Sequence, residues 1–134
     1  MNTNDIKLPL LITRIGIILF LAPWVLMRLT KVEAGTGIFA KYYHISNLPD
    51  IAGYLIGGFW LVLLIAFAIG FKKKISYGLV MIFHTLGTVM TIPYLIPGTA
   101  NFNILFMAAI PTAAAMYLLF VLRDQDTMLS LNKD

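Results

Sequence analysis

Hydrophobic residues run almost without interruption through four stretches of the chain, and most charged residues fall in the gaps between them. The stretches cover about 8–29, 51–71, 75–96 and 102–122. Each is close to the roughly 20 apolar residues that an α-helix needs to cross hydrocarbon. None alternates apolar and polar positions as a barrel strand would. In lipid, only a helix or a closed barrel satisfies every backbone group. The pattern predicts an all-α protein: a transmembrane four-helix bundle forming a single domain over residues 1–134.

The polar gaps set the orientation. Lys72-Lys73-Lys74 separate the second and third stretches. Adjacent ammonium groups do not enter hydrocarbon, so this turn lies at a membrane surface, and the positive-inside bias makes that surface cytoplasmic. Lys7, Lys72, Lys73, Lys74, Arg123 and Lys133 then fall inside, with Arg14 close by, against Arg28, Lys31 and Lys41 outside. Both termini are expected in the cytoplasm of a bacterial cell, with the protein multi-pass in the inner membrane. The leader carries one lysine balanced by Asp5, and no A-x-A site follows the apolar run, so the first span is expected to be retained.

The only long connection, Thr30–Asp50, lies on the outer side between helices 1 and 2. Ile38, Phe39, Tyr42 and Ile45 recur there at i, i+1, i+4 and i+7. That spacing predicts a short amphipathic helix after a flexible Gly35-Thr36-Gly37, lying on the leaflet or capping the bundle. Asn47-Leu48-Pro49 ends it, and Asp50 is the expected N-cap of the next helix.

Within the spans, Pro9 suits a first turn, and Pro23 predicts a kink in the outer half of helix 1. Gly53 and Gly57 have G-x-x-x-G spacing, which lets two helix backbones approach closely, within the chain or at a homodimer seam. Trp60, near mid-span, is expected to find a hydrogen-bond partner inside the bundle. Tyr77, His84, Thr88 and Thr91 share one face of the third span. Pro93 and Pro97 end that helix, and Pro111 lies in the fourth among several alanines.

Composition supports the membrane reading. The chain is 60% hydrophobic and 12% charged, against about 25% charged in a soluble domain. The net charge of +4 sits mostly at the ends of apolar segments, which suits anionic lipid headgroups as partners and not nucleic acid. With no cysteine, disulfides, Cys-ligated zinc and Fe–S clusters are excluded.

Two residues stand out as candidate chemistry. Arg14 lies about 9 Å inside the first span at 1.5 Å per residue, where burying an arginine is costly. It either snorkels to inner-leaflet phosphates, pairs with Asp124 at the same face, or contacts an anion or headgroup inside the bundle. His84 at mid-span is either a neutral ring bonded to Thr88 or to a backbone carbonyl, or a proton relay or quinone ligand. The only other histidine, His44, falls outside the spans, so bis-His haem and other metal sites are not expected. No acidic residue lies in a span, and no Walker, G-x-S-x-G or H-E-x-x-H motif occurs. No catalytic residue is assigned, and a stand-alone hydrolase or NTPase is not expected.

Arg14-x-Gly16 opening the first helix, Leu48-Pro49 leading into the second, Gly70 closing it before a basic turn, and Gly78 early in the third together resemble the DoxX-like family of small bacterial four-helix membrane proteins. The resemblance covers about residues 10 to 122. It implies a link to membrane redox or stress systems, since the family's namesake is associated with a thiosulfate:quinone oxidoreductase. It also carries a role over to Arg14. Family members often have an acid on helix 2 after a glycine, whereas here Gly57-Gly58 is followed by Phe59 and Trp60. The resulting expectation is an accessory or non-catalytic subunit, in a larger membrane complex or a homo-oligomer, holding a quinone or lipid between Arg14, His84, Thr88 and Thr91. A small oligomeric transporter or channel and a membrane redox enzyme component are the alternatives.

Overall fold

The computed structural model describes residues 3–131, which are helical and contain no β-strand. Helix α1 spans Thr3–Thr30, α2 Val32–Tyr42, α3 Asp50–Ile69, α4 Lys73–Met90 and α5 Ala109–Val121. Short 3₁₀ turns occupy Ile92–Tyr94, Ile104–Ala108 and Arg123–Gln125. Three helical segments are long and apolar enough to cross a membrane: Asn4–Thr30, Asp50–Ile69 and Ile104–Val121. This is a membrane protein with transmembrane helices.

The long helices pack in a ring, α1 against α3 and α5, and α4 against α3 and α5. Their shared core holds Leu10, Ile17, Leu21, Val25, Leu63, Phe67, Val80, Met116 and Leu119. On α1 the buried positions 10, 14, 17, 21 and 25 form one stripe at helical spacing. Its opposite face exposes Ile12, Leu19 and Leu26, as α3 exposes Leu55 and Val62. So much apolar surface turned outward is what lipid as solvent requires. The N-terminus of α1, the C-terminus of α3, the N-terminus of α4 and the tail after α5 meet at the triple-lysine end. Helix α2 packs on α1 and α3 at the other end.

Several boundaries differ from the sequence expectation. α1 begins two turns before Pro9 and runs unbroken through Pro9 and Pro23. Its first turns lie where the chain is still polar, so the carbonyl that Pro9 frees can be hydrated. α2 begins at Val32 and passes through the glycines that were expected to be a flexible lead-in. At Gly35 a Cβ would come within 3.4 Å of the Arg28 side chain, so the bare backbone lets α2 fold back on α1. Pro49, not Asp50, is the N-cap of α3: it is extended, and its carbonyl accepts from Ala52 and Gly53. Asp50 instead takes the first helical position, where a carboxylate suits the positive helix end. α4 stops at Met90 and does not continue to residue 96. The last apolar segment opens as a 3₁₀ turn capped by the Asn103 side chain, which accepts from the Leu105 N–H.

Gly53 and Gly57 face the same chain. A Cβ on Gly53 would lie 2.6 Å from Val32, and one on Gly57 3.1 Å from the Cβ of Arg28. The close approach that their spacing permits is therefore used between α3 and the α1–α2 corner.

Candidate functional site

Two polar regions lie inside the molecule, at opposite ends. At the triple-lysine end, Arg14 is 1% exposed and Asp126 fully buried. The Arg14 Nη1 donates to Asp126 Oδ2 at 3.0 Å and to the Tyr77 hydroxyl at 3.3 Å. Its Nη2 donates to the backbone carbonyls of Met128 and Leu129. Tyr77 donates to the same Asp126 oxygen at 2.6 Å. Asp126 Oδ1 is buried without a hydrogen-bond partner among the described residues.

The tail forms this knot by turning back into the bundle. Lys73 is only 4% exposed, and its ammonium donates to the carbonyls of Arg123 and Asp126. The three lysines therefore do not act alike: the middle one is turned inward and ties down the turn that follows α5. Leu129 holds a positive φ of 49°, and Leu131 N–H donates to the Ile69 carbonyl. Gly70, at φ 71°, passes under Ser130, whose Oγ lies 2.0 Å from where a Cβ would be.

The sequence therefore identified Arg14 but not its partner. The carboxylate is Asp126 and not Asp124, because the 3₁₀ turn Arg123–Gln125 carries the chain one step further before it turns inward. Tyr77, read on the polar face of the third span with His84, is buried in the knot. Lys73, Tyr77 and Asp126 were not singled out as site residues. The available signal was that an arginine inside a span demands a carboxylate, and few acids lie near that end of the chain.

At the other end, α1, α4 and the residues around α2 and the Ile104–Ala108 turn line a partly open cavity of about 320 Å³. Phe20, Trp24 and Arg28 line it from α1, and His84, Gly87 and Thr88 from α4. Thr91, Trp60 of α3, Tyr42 and Tyr43 also border it. A volume of this order lies at the lower end of small-molecule pockets, which are mostly apolar with a few placed polar groups. Tyr42, Tyr94 and Phe106 form an edge-to-face cluster, with ring centroids 4.9–5.9 Å apart. Trp60 has the Phe83 ring at 5.9 Å and no hydrogen-bond partner among the described residues, contrary to expectation. Gly87 admits the Tyr43 hydroxyl, which lies 2.9 Å from where a Cβ would sit.

His84 reaches across the bundle. Its Nε2 lies 3.0 Å from the Ala109 carbonyl oxygen, and Phe20 meets its ring edge-on at 5.8 Å. A carbonyl only accepts, so Nε2 carries the proton and Nδ1 of the neutral ring is an acceptor. The Thr88 hydroxyl donates to the His84 carbonyl, and the Thr91 hydroxyl to that of Thr88, each at 2.9 Å. Both threonine oxygens keep acceptor capacity.

His84, Thr88 and Thr91 thus share one cavity, and Arg14 is not among its lining residues. Tyr77, bonded to Arg14, and His84 are seven residues apart on α4, about 10 Å along the axis. The expected single site is two separate regions.

No family model, characterised protein or solved structure matches this chain.

Proposed function

We propose that this chain is an accessory, non-catalytic membrane protein that holds an amphipathic small molecule, a quinone or a lipid, in the cavity at the α2 end. One observation carries the reading: the polar face of α4, His84, Thr88 and Thr91, borders a cavity whose other walls are largely aromatic. Acceptors on one wall with apolar and aromatic groups on the rest suit a ring or chain bearing one polar end. Arg14 has no part in this site, since four of its N–H groups are engaged within the chain.

The architecture that goes with this proposal is a four-span bundle of DoxX-like type in a bacterial inner membrane. In it α4 crosses too, with Lys72 and Lys74 at the headgroups. Both ends of the described chain meet at the triple-lysine turn, which supports an even number of crossings. The positive-inside bias then puts both ends in the cytoplasm. Membrane lipids, and a larger membrane complex, are the partners proposed.

Native mass spectrometry of gently extracted protein, with lipid analysis of the same sample, tests the reading. The expected result is a stoichiometric quinone or lipid, retained in Arg14→Lys wherever that variant folds. It should be reduced in His84→Ala and lost in Ala109→Phe, which fills the cavity. Protein that purifies without any such molecule would overturn the proposal.

A further inference from the structure

Arg28 is the one charged side chain bordering the cavity. It is half-buried, and among the described residues no carboxylate forms an ion pair with it. Its guanidinium lies over the Phe39 ring, 5.4 Å from the centroid. Its stem is held between two bare backbones. A Cβ on Gly35 would come 3.4 Å from its Cγ, and one on Gly57 3.1 Å from its Cβ. The close packing of α2 and α3 against α1 therefore also aims this cation.

Depth matters as much as charge. Arg28 stands in the last turn of α1. Phe20 lies eight residues earlier, about 12 Å deeper along the helix axis. The cavity thus has a cation at its membrane-surface end and aromatic walls further in. A planar guanidinium with free donors is matched by a carboxylate or phosphate, which it binds in forked geometry.

We propose that the cavity selects an amphiphile with an acidic headgroup, a carboxylate or phosphate, seated on Arg28, with its apolar part lying between Phe20, Trp60 and His84. The inference rests on the cavity being a ligand site and narrows the ligand to anionic amphiphiles. A neutral quinone would leave the guanidinium unanswered.

Both tryptophans of the chain, Trp24 and Trp60, line the cavity, so a brominated amphiphile bound there quenches their emission. The full chain in detergent is titrated with terminally brominated undecanoate and with the matching undecanol. The expected result is saturable quenching by both, with the acid about tenfold tighter or more, as loss of a charged hydrogen bond implies. Arg28→Gln should bring the acid down to the affinity of the alcohol while leaving the alcohol unchanged, which also shows that the variant is folded. Arg28→Lys should keep part of the preference. Dodecyl phosphate should displace the acid, and inorganic phosphate should not. Equal binding of acid and alcohol, or an acid preference that survives in Arg28→Gln, overturns the inference while the cavity reading stands. Displacement by inorganic phosphate at similar concentration also overturns it, making Arg28 a simple anion site. Quenching by neither probe, or quenching unchanged in Ala109→Phe, removes the cavity reading itself.

Discussion

Helix α1 carries two arginines that face the interior at opposite ends of the molecule, and the protein treats them differently. Arg14 is sealed in. A carboxylate, a phenol and two backbone carbonyls take its N–H groups, and the tail closes over it. Arg28 is half-buried beside a cavity, with an aromatic ring as its neighbour and no counter-charge among the described residues. An arginine in a span is a demand for negative charge. Where the chain meets that demand itself, the residue is structural. Where the chain leaves it open, the answer has to come from outside.

The contrast is broken most forcefully at the sealed end. Removing one partner of a buried ion pair strands the other, at a cost of about 3–5 kcal/mol. Arg14→Met or Asp126→Ala should lower the unfolding midpoint in detergent sharply, and the double variant should regain part of the loss. Arg28→Gln should change stability far less, and a loss as large as that of Arg14→Met would erase the distinction.

A smaller effect is expected at the glycines that clamp Arg28. Gly35→Leu meets Arg28, and Gly57→Leu meets Leu29 and Arg28. Overpacking of this kind costs about 1–3 kcal/mol. Here it should also weaken binding of an acidic amphiphile more than that of a neutral one, as read by tryptophan quenching. At the sealed end, Gly70→Ala places a methyl 2.0 Å from Ser130 Oγ, on a backbone at φ 71°. It should free the tail, seen as faster proteolysis after Val121, with ligand binding unchanged.

The smallest effect sharpens the contrast from the cavity side. His84→Phe removes the bond to the Ala109 carbonyl, and side-chain hydrogen bonds within membranes average about 0.6 kcal/mol. Stability should hardly move while retention of the bound molecule falls. The reverse pattern would make His84 a structural brace.

Three segments able to cross a membrane were legible because lipid imposes a length and an apolar composition on any helix that crosses it. The His84, Thr88 and Thr91 face was legible because helical period alone sets it. The face that Arg14 takes was not. Apolar residues occupy every side of α1, so the sequence shows no inward stripe, and only packing reveals that 10, 14, 17, 21 and 25 point inward. The partner was hidden for another reason. Asp124 and Asp126 are equally plausible in sequence, and the choice depends on a 3₁₀ turn and a left-handed Leu129 that no periodicity announces. The start of α2 was misplaced because Gly35 reads as flexible until Arg28 of α1 is seen against it. Arg28 read as an ordinary flanking cation, because its lack of a partner is a property of the folded neighbourhood.

The Arg14–Asp126 contact joins residues 112 positions apart. Arg14 therefore leaves the ribosome long before the carboxylate that neutralises it exists. The ion pair can close only once the segment past α5 has been made, and a nascent chain stalled short of residue 126 would carry an unanswered cation on its first helix.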